Sequence, residues 1–402
     1  MRAFWLLTWA SAISTVGNTF LYVAIPWALL ETTDSPVLAV LSLGAQNAPY
    51  LLAPLLGPLI DRYDRRALFA LGELTQAAAV AVIPLLLAQG RIGLVFAALF
   101  LLGLANVVSD VAGDYGLIPA LVPRHKLDEA SSRFTSILLV ARFVGPALGG
   151  LLVAGVGTSW AIELDALTFV VTALTTLFMP KALGKAARGA RVSLSRMLRE
   201  GLAYFRDRPD LRRLTFAVAM YNLGAGALEP TLLTVGADRW GWSAGALGVA
   251  VSVGAVAAAL GAWLSPRALF GSNRVRQIAL WLVVCALGSV GLLFAWPLAV
   301  LAGFTVLCLG EGGVNAATMA YRQQEIPDEL AGRVNTVIRT FITGAVPVSA
   351  LALGLTVNLD GAGWAFVPVT TTAFLAVLLW GRRGGQDTRP RPQPRVGVRS
   401  DS

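Results

Sequence analysis

The chain has 402 residues, 56% hydrophobic and only 14% charged, with a mean hydropathy of +0.68, whereas water-soluble proteins carry about 25% charged residues. That balance excludes a soluble enzyme or nucleic-acid-binding domain as the plain reading of the formal net charge of +9. A membrane protein is left.

Apolar stretches close to the roughly 20 residues that span a bilayer recur along the whole length. In chain order, twelve spans are predicted: Phe4–Leu30, Pro36–Ile60, Ala67–Ala88, Ile92–Ile118, Phe134–Val156, Trp160–Met179, Leu214–Val235, Ala244–Leu264, Gln277–Trp296, Pro297–Tyr321, Thr340–Leu359 and Trp364–Gly381. The ninth and tenth are divided only by Trp296–Pro297. The first is too long for a cleavable signal and reads as a span.

The 25-residue run Pro36–Ile60 carries no charge, yet it ends abruptly in Asp61, Arg62, Asp64, Arg65 and Arg66. Such an edge marks the chain leaving lipid for water. With the N-terminus in the cytosol, 29 of the 32 Lys and Arg residues fall in cytoplasmic segments, two (Arg91 and Arg239) fall outside, and Arg142 lies within a span. This positive-inside asymmetry predicts that both termini are cytoplasmic. The basic balance therefore reports topology and not a nucleic-acid partner.

The longest polar interruption, Lys181–Arg213, separates six predicted spans from six. The expected organisation is a bundle at 1–180, a linker at 181–213, a second bundle at 214–382 and a disordered basic tail at 383–402. Within the linker, Leu194, Met197, Leu198, Leu202 and Phe205 recur at helical spacing, which predicts an amphipathic helix either on the inner membrane surface or packed beneath the bundle. Shifting the first half by 204 residues places Gly57 on Gly261 and Pro123 on Pro327, equivalent points after the second and fourth spans of each half. Parallel repeats of this kind place a substrate between the halves near mid-membrane.

The loop "GPLIDRYDRRAL", Gly57–Leu68, resembles the signature G-x-L-x-D-R-x-G-R-R/K of the major facilitator superfamily. "DRYDRR" is similar to the variant found in a bacterial efflux branch with enterobactin-exporter-like and macrolide-efflux-like members. Further segments at matching positions, "ETTDSP", "LVPRHKLDEAS", "GPALGG" and "PDELAGRVN", extend the resemblance along the chain. Asp64 stands where glycine is commoner, and a left-handed backbone, which aspartate tolerates, is one form the turn can take there. The resemblance implies that Asp61, with Arg65, Arg66 and the Gly57 turn, clamps the halves on the cytoplasmic side; simple topology anchoring is the plainer alternative.

In the fifth span, "RFVGPALGG" runs from Arg142 to Gly150. Gly145 and Gly149 make a small-residue face for close helix approach, Pro146 removes a backbone donor, and Gly150 extends the face. The segment resembles the G-P-x-x-G-G motif of drug–proton antiporters and so implies efflux in exchange for protons.

Charges inside a membrane are costly and mark function by default. Asp110 and Glu311 lie deepest in spans four and ten, the equivalent helices of the two halves. Glu311, with no basic residue near it in its own span, is the first proton-coupling candidate; Asp110, Glu229 and Asp165 follow, with Asp165 and Glu229 placed toward outer span ends. Depth counting pairs Arg142 with Asp110 or Asp114. Asn18, Asn106, Asn222 and Asn315 are candidate cavity lining, while Cys285 and Cys308 are expected to be packing residues. His125 lacks the neighbours of a metal site, and no G-x-x-x-x-G-K-S/T loop occurs, so no metal, cofactor or nucleotide is expected.

These features together predict an all-α, twelve-span monomeric secondary transporter of the bacterial cytoplasmic membrane. It is expected to export a small amphipathic compound by proton antiport, with a lipid bilayer as its environment. Uptake or symport on the same fold, or a non-transporting sensor, are the rival expectations.

Overall fold

A computed structural model describes residues 2–53, 63–112, 121–122, 127–178, 194–265, 273–358 and 363–381. The described elements are helical: α1 Arg2–Thr33, α2 Pro36–Asn47, α3 Arg65–Ala88, α4 Ile92–Ala112, α5 Leu127–Val156, α6 Thr158–Thr175, α7 Leu194–Asp207, α8 Pro209–Ala225, α9 Leu228–Trp240, α10 Ala244–Leu264, α11 Arg274–Gly291, α12 Pro297–Glu325, α13 Asp328–Thr356 and α14 Val367–Gly381. Short 3₁₀ turns at Ala48–Leu52, Thr176–Phe178 and Trp364–Phe366 continue or lead into helices.

Among the described residues eight helices are long and apolar enough to cross a membrane. At the other four predicted spans, the described helices fall short in length or apolarity. Large apolar side chains such as Leu71, Leu151, Leu260 and Leu355 point outward, the reverse of a water-soluble surface and the pattern a lipid environment requires. Inside, glycine faces let helices approach closely, as where Gly288 and Gly291 of α11 meet Gly303 of α12.

Two large apolar clusters divide the core. One is drawn from residues between Phe20 and Phe169, joined by Ala244; the other is drawn from residues between Phe205 and Trp380, joined by Val40. We refer to α1–α6 and α8–α14 as the first and second groups. Arg65, Arg274 and Arg322 lie at one end of the helices, called the basic end below.

Helix boundaries follow local chemistry. Asp64 caps α3: its carboxylate accepts from the N–H groups of Arg66 and Ala67, and its φ of −64° is extended backbone and not the left-handed form open to it. An aspartate at this position satisfies two of the free donors at a helix start. The Trp296–Pro297 division holds, with α12 beginning at Pro297, where proline's missing N–H costs nothing.

The seventh predicted span departs from expectation. It is two helices, α8 and α9, broken at Gly226–Ala227. Ser349 of α13, itself 0% exposed, repairs the break: its Oγ donates to the Gly224 carbonyl at 3.2 Å and accepts from the Ala227 N–H at 3.1 Å.

The linker helix α7 packs on the second group, which decides between its two predicted placements. Phe205 is buried and stacks on Phe341 of α13, centroids 5.8 Å apart. Glu200 pairs with Arg333 and Arg208 with Glu325, while the Tyr204 hydroxyl donates to the Glu325 carbonyl at 2.7 Å. Burial raises the Tyr204 hydroxyl above its ordinary value, Arg208 opposing and Glu325 reinforcing.

Candidate transport site between the helix groups

A cavity of about 210 Å³ lies between the groups. The first group contributes Tyr22 of α1 and Leu43 and Asn47 of α2. The second contributes Tyr221, Asn222 and Glu229 around the α8–α9 break, Phe304, Cys308 and Glu311 of α12, and Val346 of α13. The break places Glu229 here: it lies in the first turn of α9, where the unpaired backbone N–H groups favour a negative charge. The Tyr221 hydroxyl donates to Glu311 Oε2 at 3.2 Å, Asn222 Nδ2 donates to the Ile342 carbonyl at 3.0 Å, and Glu229 is within electrostatic reach of Glu311. Among the described residues the lining thus holds two carboxylates, two phenols, two amides and no Lys, Arg or His.

Contacts between the groups bound this space. Away from the basic end, Val23 of α1 packs against Leu233 of α9 and Leu247 of α10, and Gly150 of α5 sits against Ala244 and Gly248 of α10 with no room for a side chain. Toward the basic end, Arg339 Nη2 of α13 lies 3.5 Å from Asp110 Oδ2 of α4. The Tyr50 hydroxyl donates to the same oxygen at 2.9 Å, and the guanidinium stands 5.1 Å from the Tyr50 ring centre, within cation–π range. The Asp110 alternative for the Arg142 partner is therefore corrected. Asp110 pairs with Arg339 across the groups, because α13 lies beside the end of α2 while the Arg142 side chain is exposed. Asp114 lies outside the described residues.

The predicted site residues divide clearly. Glu311, Glu229 and Asn222 line the cavity. Asn18, Asn106 and Asn315 do not line it. Asp165 is 0% exposed inside the first group beside Gly17 of α1 and bonded to Thr168, correcting its placement near a wet span end: α1 covers it. Gly145 and Gly149 abut Thr19 and Phe20 of α1, while Gly150 crosses to α10, so the glycine face serves two helices. Arg65 and Arg66 begin α3; Gly57 and Asp61 lie outside the described residues. Sequence reading missed Tyr22, Asn47, Tyr50, Tyr221 and Arg339. Tyr22 lies one turn past Asn18 and Tyr221 adjoins Asn222, so helical spacing carried part of the signal. Cys308 packs as expected but also faces the cavity.

The Major Facilitator Superfamily family model matches residues 7–350. The chain belongs to this superfamily. Among curated relatives, the multidrug efflux pump Tap of Mycobacterium tuberculosis is 28% identical over 400 residues, covering 93% of this chain and 92% of that one. Macrolide efflux protein A of Streptococcus pyogenes is 23% identical over 387 residues, covering 92% and 93%. Among solved structures, an inward-facing bacterial homologue of the iron transporter ferroportin superposes with TM-score 0.72 at 17% identity, covering 94% of this chain and 98% of that one. The chain is thus a multi-pass membrane transporter of the major facilitator fold and not an enzyme.

Proposed function

We propose that this transporter exports an amphipathic organic cation across the bacterial cytoplasmic membrane in exchange for protons, working as a monomer. The carrying observation is the lining of the cavity between the groups, with Glu229 and Glu311 and no basic residue. Two acids in a low-dielectric chamber attract one positive charge at a time, proton or cargo, and the phenol and phenyl faces of Tyr22, Tyr221 and Phe304 suit an apolar cationic body. The efflux relatives support the direction of transport.

In this reading Glu311 is where cargo and proton compete. A cation entering from the cytosol displaces the proton from the carboxyl, and a proton arriving from outside displaces the cation. Glu229 shares the negative field, and the Tyr221 hydroxyl holds the Glu311 carboxylate toward the cavity. The bridge between Asp110 and Arg339 closes the cytoplasmic side, together with a clamp at Asp61, Arg65 and Arg66 and its Gly57 turn, while the glycine face from Gly145 to Gly150 closes the outer side.

Everted membrane vesicles given an inward-acid pH gradient test this. Addition of ethidium, a lipophilic cation, is expected to release protons in vesicles carrying the protein and to be without effect in those carrying Glu311→Gln. Cation accumulation without proton release, or proton movement in the opposite sense, refutes exchange.

A further inference from the structure

Glu73 of α3 is only 4% exposed, and among the described residues every group that touches its carboxylate is neutral. Ser14 Oγ of α1 donates to Oε2 at 3.3 Å, Gln76 Nε2 donates to Oε1 at 3.2 Å, and the Ser109 hydroxyl of α4 bonds to it as well. Gln76, 0% exposed, also donates to Ser109 Oγ at 3.2 Å, and its own Oε1 has no partner among the described residues. Among the described residues, the charged groups facing Glu73 from the helices packed on it are both acids, Asp110 of α4 and Asp165 of α6. The facing residue of α1 is Ser14, and the turn Thr176–Phe178 carries no charge.

An ionised carboxylate held among neutral groups and two further acids, inside a lipid-embedded bundle, lacks the counter-charge that makes burial tolerable. With a proton it is a donor, and Gln76, whose amide oxygen lacks a partner among the described residues, is the side chain beside it. The site also touches the gate. Ser109, which bonds Glu73, precedes Asp110, which holds Arg339.

We propose that Glu73 is a second proton-carrying site, separate from the cargo cavity, whose charge sets the strength of the Asp110–Arg339 bridge between the groups. The sign follows from electrostatics. With Glu73 ionised, its charge adds at longer range to that of Asp110, which alone touches Arg339, and the bridge is tight. With Glu73 protonated, only Asp110 remains and the bridge loosens. Loading a proton at Glu73 therefore favours opening at the basic end, and losing it favours closure. This rests on the proton-exchange reading above, but its test needs no cargo, so a wrong cargo assignment leaves it standing.

The test uses purified full-length protein in lipid nanodiscs with nitroxide labels at Leu71 of α3 and Met319 of α12, which are 60% and 50% exposed near the basic end. Pulsed electron–electron distances are read across a pH series. The unsubstituted chain is expected to shift toward longer separations as pH falls. Glu73→Gln is expected to stay at the long separation at every pH, while Glu73→Asp keeps the pH response. As a second readout that leaves every charge in place, Ser109→Ala is expected to move the pH midpoint by about one unit. A Glu73→Gln protein that follows pH like the parent, or an unmoved midpoint in Ser109→Ala, overturns the proposal.

Discussion

Arg339 and Asp110 form an ion pair across the two helix groups, with Nη2 to Oδ2 at 3.5 Å and the Tyr50 hydroxyl on the same oxygen. The side chains are 43% and 34% exposed, so the pair adds little to folding; exposed pairs contribute about 0–1 kcal/mol. Its position matters more than its strength, because it joins the two helix groups at the basic end of the cavity.

Arg339→Ala and Asp110→Asn are therefore expected to melt near the parent temperature while populating the basic-end-open state more. A loss of about 1 kcal/mol from one state changes the ratio of states about fivefold. Alkylation of a cysteine placed at Asn47, inside the cavity, reads this as faster labelling from the basic side. The exchanged pair Arg339→Asp with Asp110→Arg is expected to return labelling toward the parent rate.

Glu229→Gln and Glu311→Gln are each expected to weaken binding of a lipophilic cation about tenfold or more, the cost of removing one charge partner at about 1.4 kcal/mol per decade. A neutral compound of the same shape is expected to bind all variants alike. Equilibrium fluorescence titration in detergent checks both, and equal losses for cation and neutral analogue would point to a collapsed cavity instead.

Gly150→Leu forces side-chain volume between α5 and α10, where Ala244 and Gly248 leave none; overpacking costs about 1–3 kcal/mol. The expected result is a protein that folds but closes poorly away from the basic end, seen as raised labelling from that side. Gly155→Leu, on the same helix with open space around it, is expected to behave as the parent. Gly149→Leu, packed on Phe20 within the first group, is expected to lower the melting temperature instead.

Ser349→Ala removes the hydroxyl that serves both the Gly224 carbonyl and the Ala227 N–H at the α8–α9 break. Unpaired buried polar groups cost about 1–3 kcal/mol each, so a clear drop in melting temperature is expected. Ser349→Thr, which keeps the hydroxyl, is expected to recover most of it. Because Glu229 follows the break directly, cation affinity is expected to fall with stability in Ser349→Ala.

Phe205→Ala tests the docking of the linker helix. A buried aromatic truncated to alanine costs about 3–5 kcal/mol. Release of α7 from Phe341 is expected to expose the Arg206–Arg213 segment to trypsin, measured as faster cleavage in detergent. A cleavage rate equal to the parent's would mean that the pairs Glu200–Arg333 and Arg208–Glu325 hold the helix without it.

What the sequence by itself determined is whatever depends on solvent and on near neighbours in the chain. Runs without charge set where helices are apolar enough for lipid, and Trp296–Pro297 separated two helices because proline cannot continue one. Glycine spacing in "GPALGG" announced close packing, and the deep acids Glu311 and Asp110 announced sites. The tertiary structure alone decided partners. Helical spacing ranks residues by face, but nothing local states which helix will stand opposite that face. The sequence puts Arg142 within a span and Arg339 at the cytoplasmic edge of one, and only the seating of α13 beside α2 placed the second on Asp110. The same holds for Asp165, which α1 covers, and for Glu229, which a helix break mended by a serine more than a hundred residues away turns into the cavity.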